Sequence, residues 1–383
     1  MNRKQFLILV IVLVVLGGAG LALFWQDIAH YRASGARIGA KLLPGFKIAD
    51  VAQIRLQDAK AQVTLVHKED RWVVQERGDY TANYQDIGDL MVKLVELKVT
   101  QAETVGASLL PRVDLVAPAQ SSDANPPRQG EGIGTLVEFK DKAGKVLASL
   151  VLGKKVLKKD PLNPLPSAQD GVPAGRYVLV SGAKDKVVVV SDPLNAAEAR
   201  PGKWLAKDFF KAERIKTLAV GPEGGAPHWK ITRDVEWGQW KFVGGGELDA
   251  SGAVGAVNAL GNIAFTDVAV KPDDTEKPVV VVAETFDNLT YRAKIARKKA
   301  GEEYHLNFSV SGEPPKKRVP EKGEKPEDAA RRDKEFAENL KRLEERIARE
   351  QALARWTYVA AKSAVEPLLR DRAQMTARKA DKR

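Results

Sequence analysis

The block RWVVQERGDYTANYQDIGDLMVKLVELKV, beginning at Arg71, is matched in layout by QWKFVGGGELDASGAVGAVNALGNIAFTDV, beginning at Gln239. Each runs from a Trp-bearing strand through a polar turn into a helix, with Trp72 and Trp240 as the paired aromatics. Downstream, the hairpin VEFKDKAGKVLASLVLG at Val137 is mirrored by AETFDNLTYRAKIA at Ala283, and GRYVLV at Gly175 is echoed by RWTYVA at Arg355. A repeat of this kind ties both halves of the chain to one supersecondary plan. Its length, about 150 to 170 residues, is that of an ordinary domain. The predicted fold class is therefore α+β: one N-terminal transmembrane helix, then two tandem related α+β units. Each unit is expected to be a small, mainly antiparallel sheet with a packed amphipathic helix. The first unit is placed at 46–195, a joint at 196–212 and the second unit at 213–370.

Within the first unit, alternating apolar residues mark strands at 51–56, 62–66 and 71–75. Tyr84, Ile87, Leu90, Met91, Leu94 and Leu97 then recur at helical spacing behind Asn83, a good N-cap. Pro and Gly assign 112–134 and 154–175 to loops. Hairpins are predicted around the turn at 141–144 and between 176–180 and 186–190. In the second unit a helix capped by Ser251 is expected to bury Val254, Val257, Leu260 and Ile263. The joint carries Trp204, Leu205, Phe209 and Phe210, which read as buried packing anchors or, alternatively, as an exposed aromatic patch.

A charged insertion at 313–355 breaks the repeat. Its first part is a Pro-bearing linker and its second a helix, with Phe336, Leu340, Leu343 and Ile347 spaced as the apolar seam of a short coiled coil. Two heptads are too short to associate alone. The seam either folds back on its own unit or docks a partner, and these four residues are the candidate docking residues. The closing stretch 371–383 reads as a basic, disordered tail.

The chain opens with an uncharged apolar run at 6–25, FLILVIVLVVLGGAGLALFW, behind Arg3 and Lys4. At about 1.5 Å per residue it covers the roughly 30 Å of a bilayer core. Gly20, Leu21 and Ala22 resemble a signal-peptide cleavage site, but the run continues to Phe24 and Trp25, which favours a retained signal anchor. Residues 1–26 are thus read as a cytoplasmic tail and transmembrane anchor, 27–45 as a juxtamembrane spacer. The expected location is the bacterial inner membrane, single-pass, with the bulk of the chain periplasmic. The net charge of +11 fits an anionic partner such as lipid or an acidic polymer, nucleic acid being disfavoured for a tethered chain.

Chemistry finds little support. The absence of Cys excludes disulfides, thiol catalysis and thiolate metal sites. His30, His67, His228 and His305 lack the spacing that sets two ligands on one helix face. Gly244, Gly245 and Gly246 lack the Lys and Ser/Thr ending of a phosphate loop and read as a tight turn. No nucleophile elbow is present. The expectation is a non-enzyme with no catalytic, metal or cofactor residues.

The N-terminal run, the block VTLVHKEDRWVVQERGDYTANYQDIGDLMVKLVELKV, the hairpin VEFKDKAGKVLASLVLGKK, the GRYVLV strand and the KWLAKDFFK joint together resemble the bacterial domain of unknown function 4340 family. The resemblance is strongest from 63 to 211, and the insertion departs from it. It implies single-pass membrane proteins encoded beside ABC-type export systems and their gliding-motility-like auxiliary components. The expected function is a non-catalytic, membrane-anchored auxiliary or scaffold subunit that binds a partner protein or cargo. The alternative is a cell-envelope protein that contacts an anionic polymer or lipid surface.

Overall fold

The computed structural model describes residues 38–118, 132–158, 171–181, 186–271, 273–320 and 324–377. It divides into two compact units between Trp204 and Leu205. The first contains β1 (Gln53–Gln57), β2 (Gln62–Lys68), β3 (Arg71–Val74), β4 (Tyr80–Thr81), α1 (Tyr84–Glu96), β5 (Val99–Thr104), β6 (Thr135–Lys140), β7 (Val146–Lys158), β8 (Val172–Val180) and β9 (Lys186–Val190). Their sheet order is β4-β3-β2-β1-β6-β7-β8-β9-β5. The second contains β10 (Ile215–Pro222), β11 (Trp229–Thr232), β12 (Lys241–Phe242), α2 (Ala250–Gly261), β13 (Asp267–Ala269), β14 (Val279–Thr285), β15 (Leu289–Arg297), β16 (Tyr304–Gly312), α3 (Pro326–Leu353), β17 (Thr357–Ala360) and α4 (Lys362–Val365). Its order is β12-β11-β10-β14-β15-β16-β17-β13.

Setting β4 aside, the two orders are the same pattern. In both, a three-strand meander ends in a helix, the chain emerges at the far edge, and the next strand returns to pair with the first. Register fixes the equivalence residue by residue. Leu65 pairs with Val74 and Ile231 with Phe242, so Trp72 and Trp240 occupy the same place two residues earlier. RWTYVA corresponds to β9 rather than to GRYVLV, and α3 is inserted where the first unit makes the short β8–β9 connection.

The α+β expectation is corrected. The structure is mostly two large antiparallel sheets of nine and eight strands with few helices. The excess of strand lies partly in stretches whose prolines and glycines point to loops. β7 runs on to Lys158 and pairs with β8, Leu157 opposite Pro173 and Val156 opposite Gly175. The ladder tolerates these residues because the register shifts between Val156 and Leu157, which relaxes the pairing there.

Among the described residues no helix is long and apolar enough to cross a membrane. α3 has the length, 28 residues, but its sequence is dominated by Arg, Lys, Glu and Asp. The transmembrane, single-pass, signal-anchor and inner-membrane expectations are therefore corrected and not carried forward. The run at 6–25 on which they rested lies outside the described residues.

In unit 1 one sheet face carries the fully buried Ile54, Leu56, Val63, Leu65, Phe139 and Leu150. α1 buries Ile87, Leu90, Met91 and Leu94 at i, i+3, i+4 and i+7. Its first turn is held by Asn83, whose side chain accepts from the Gln85 N–H. The opposite face has a smaller core of Leu115, Leu136, Val151 and Val187, closed by Leu110 and Val113 from the 3-10 stretch Ala107–Val113.

In unit 2, α2 is capped by Asp249, which accepts from the Ser251 and Gly252 N–H groups, and it buries Gly252, Ala253, Ala256 and Leu260. Val254 is 48% exposed. Small side chains face inward because the tail packs there: a Cβ on Gly252 would lie 3.4 Å from the Met375 Sδ. The start of the expected tail is thus ordered, with Met375 fully buried and its carbonyl accepting from the Asp249 N–H. Residues 378–383 lie outside the described residues. Of the joint aromatics, Trp204 is fully buried in unit 1, its Nε1–H donating to the Glu198 carbonyl at 2.7 Å. Phe209 and Phe210 belong to unit 2, where they pack with Phe308 at 5.2 and 4.3 Å between centroids.

Candidate functional site

α3 starts at Pro326, a residue preorganised for the first helical position, with Glu327 and Asp328 in the first turn. The linker before it is fastened electrostatically. Arg318 pairs with Glu324 at 2.7 Å and Asp333 at 2.5 Å, and Arg332 pairs with Glu324 at 3.1 Å. The Glu324 side chain is almost fully buried, so this cluster is screened less than an ordinary surface pair.

The other end of α3 is anchored by Glu350, 2% exposed. One carboxylate oxygen accepts from the Lys211 N–H at 3.0 Å and the other from the Tyr291 hydroxyl at 2.9 Å. The Arg346 guanidinium stands 3.8 Å away and pairs outward with Glu213. Burial pushes the Glu350 carboxyl above its ordinary range, against the opposing effects of these donors and of Arg346. Burial also pushes up the Tyr291 hydroxyl, with the Glu350 charge adding to the shift.

Between these two fastenings lies the apolar seam. Ile347 is buried, 8% exposed, whereas Phe336, Leu340 and Leu343 are half-buried. Those three line one wall of a groove of about 370 Å³, whose other walls include Phe286, Pro314, Pro315 and Val319. The seam thus faces its own unit without being closed over. Arg214 forms part of the rim and reaches both Asp287 and, at 2.9 Å, Glu236 of the β11–β12 connection. The hydrogen bond to Glu236 raises the Arg214 value further above its already high range.

That connection carries the most exposed aromatic residue described. Trp237 is 91% exposed, next to Glu236, and Val235 is 62% exposed. Val319 on the groove wall is 90% exposed. These three residues were missed by sequence reasoning. A signal was available: RDVEWGQW combines turn formers with a Trp that has no strand periodicity on either side.

The histidines are dispersed. His67 lies 5.3 Å from the Trp72 ring, and His305 is buried with its Nε2 3.7 Å from the Asp273 carboxylate. Burial lowers the His305 value, so the ring is neutral at physiological pH. Among the described residues no group of three or more His, Asp or Glu side chains could hold a metal ion. Gly244, Gly245 and Gly246 all have positive φ, between 85° and 105°, as a tight strand-to-helix turn requires. Compared with protein-family models, curated proteins and solved structures, the chain matches none.

Proposed function

We propose that the protein is a non-catalytic binding or scaffold subunit that docks a partner protein on unit 2. The observation that carries this reading is the exposure of Val319 on the wall of a groove lined by the half-buried seam of α3, with the exposed Val235 and Trp237 flanking Glu236, the partner of the groove residue Arg214. An exposed apolar groove wall together with a nearly bare Trp on the connection tied to it by the Glu236–Arg214 pair is the composition of an interface, where Trp contributes a disproportionate share of binding energy. The salt-bridged linker and the Glu350 anchor fix both ends of the groove, which lowers the ordering cost of binding. The resemblance to the domain of unknown function 4340 family supports a component of an ABC-type export system as the class of partner.

The test is site-specific photocrosslinking in cells. A benzophenone side chain replaces Trp237, or as a control the half-exposed Val92 of α1. The expected result is a discrete heterologous adduct from position 237, absent from position 92 and lost on adding Leu340→Asp. Equal adducts from both positions, or none from 237, would contradict the proposal.

A further inference from the structure

The two sheets carry equivalent rows on the face away from the Ile54 and Leu56 core, and these rows differ in chemistry. Equivalence follows from register: Ile54 pairs with Leu65 and Phe139, and Leu218 with Ile231 and Ala283. One residue along, the unit 1 row runs Thr64, Arg55, Glu138, Ser149. Arginine and glutamate sit opposite each other at its centre. The same row in unit 2 runs Lys230, Ala219, Val282, Arg292, with small apolar residues at the centre and a cation at each end.

The neighbouring row diverges as well. In unit 1 it contains Leu136, Val151 and Leu179, closed over by Leu110, Val113 and Leu115. In unit 2 it contains Val280, Lys294 and Asn307. Lys294 cannot lie beneath an apolar cover without losing hydration, and a cavity stands over this part of the second face where the first is closed.

What remains is a trough. A cavity of about 230 Å³ lies over Ala219, Gly221, Val280 and Val282, bounded by the glycine-rich β10–β11 turn and by Arg292. Lys294 is taken by Glu223 at 2.5 Å, and Lys241 by Asp234 at 2.6 Å. Neither Lys230 nor Arg292 forms a salt bridge among the described residues, although Glu223, held by Lys294, also lies within electrostatic reach of Arg292. They stand three interstrand steps apart, roughly 14 Å. In an extended peptide, residues i and i+4 lie on one side about 13 Å apart, with i+2 between them.

We infer that this trough on unit 2 binds an extended acidic peptide segment crossing the strands, with carboxylates at i and i+4 on Lys230 and Arg292 and an apolar side chain at i+2 over Ala219 and Val282. The charge complementarity is confined to the two ends. A polyanion charged at every repeat would set uncompensated charge on the apolar floor, which costs free energy. Glu284, exposed in the row beyond, repels a third carboxylate there. The site is separate from the α3 groove and stands whether or not that groove docks a partner.

The test is fluorescence anisotropy of a labelled peptide with the core Glu-Thr-Val-Thr-Glu, titrated with the full chain. The expected result is saturable binding that weakens about tenfold with Lys230→Gln or Arg292→Gln, and further in the double variant. Replacing the peptide's Val by Ser is expected to weaken binding, and replacing both Glu by Lys to abolish it. These peptide changes test the inference even if a protein variant misfolds. Trp237→Ala is expected to leave binding unchanged. Three results would overturn the inference: unchanged affinity in the double variant, loss of binding in Trp237→Ala, or competition by inorganic polyphosphate as effective per charge as by unlabelled peptide.

Discussion

At the scale of single residues, Glu350 shows why a buried charge need not be a source of stability. Its hydrogen bonds from the Lys211 N–H and Tyr291 favour the ionised form, yet burial outweighs them and raises its folded value above the ordinary 4.5. A raised carboxyl contributes stability that is fully present below the unfolded value and is lost as pH rises through the folded one. Glu350→Gln removes that titration. The expected outcome, measured by thermal unfolding, is a wild type that loses ground relative to Glu350→Gln as pH rises from about 4.5. A constant difference between the two proteins across that range would contradict it. None of this was legible in the sequence, where Glu350 is one of many glutamates in a charged run. By contrast, the apolar spacing of Phe336, Leu340, Leu343 and Ile347 was legible, although not what the seam faces.

At the scale of elements, local signals were legible and non-local ones were not. Asn83 and the apolar period after it marked α1, and the turn at 141–144 marked the β6–β7 hairpin, because both depend on neighbours in sequence. The buried face of α2 was misread at Val254, which is exposed while Leu260 and Ile263 are buried as expected, because close packing against Met375 selects Gly252. Trp237 escaped notice because aromatic residues are usually buried. The stretch at 112–134 was read as a loop, yet its start, together with 107–111, covers the second face of sheet 1, and this depends on missing side chains beneath it. A Cβ on Gly153 would come within 2.2 Å of the Val113 carbonyl oxygen, and one on Gly134 within 2.4 Å of the Asp114 carbonyl oxygen. Gly153→Ala is expected to destabilise unit 1 by about 1 to 3 kcal/mol through overpacking, read from chemical denaturation. Gly255→Ala on α2, where a Cβ meets nothing within 4 Å, is the matched control, expected to be neutral or stabilising. Equal effects would show that the stretch does not rest on the sheet.

At the scale of the whole molecule, one strand order is used twice and finished differently. The first sheet satisfies its outer rows internally, with Arg55 donating to Gln57 and Gln62, Glu138 pairing with Lys140, and an apolar cover from 105–115. The second inserts α3 and leaves a trough and a groove open. The sequence repeat announced two related units, since the Trp, turn and helix recur in order. It could not announce that β6 pairs with β1, or β14 with β10, because those partners are separated by a helix and a far-edge strand and nothing local encodes their register. These returning pairs are also what place Ala219 beside Val282 and so build the trough. The chain contains no Cys, so introduced pairs report without background. The most direct measurement is oxidation of two double variants, Arg55→Cys with Glu138→Cys and Ala219→Cys with Val282→Cys, each a directly opposed cross-strand pair. Rapid intramolecular disulfide formation in both, seen as a mobility shift on non-reducing gels, is the predicted result. Formation in one variant without the other would contradict the claim that the two units share one topology.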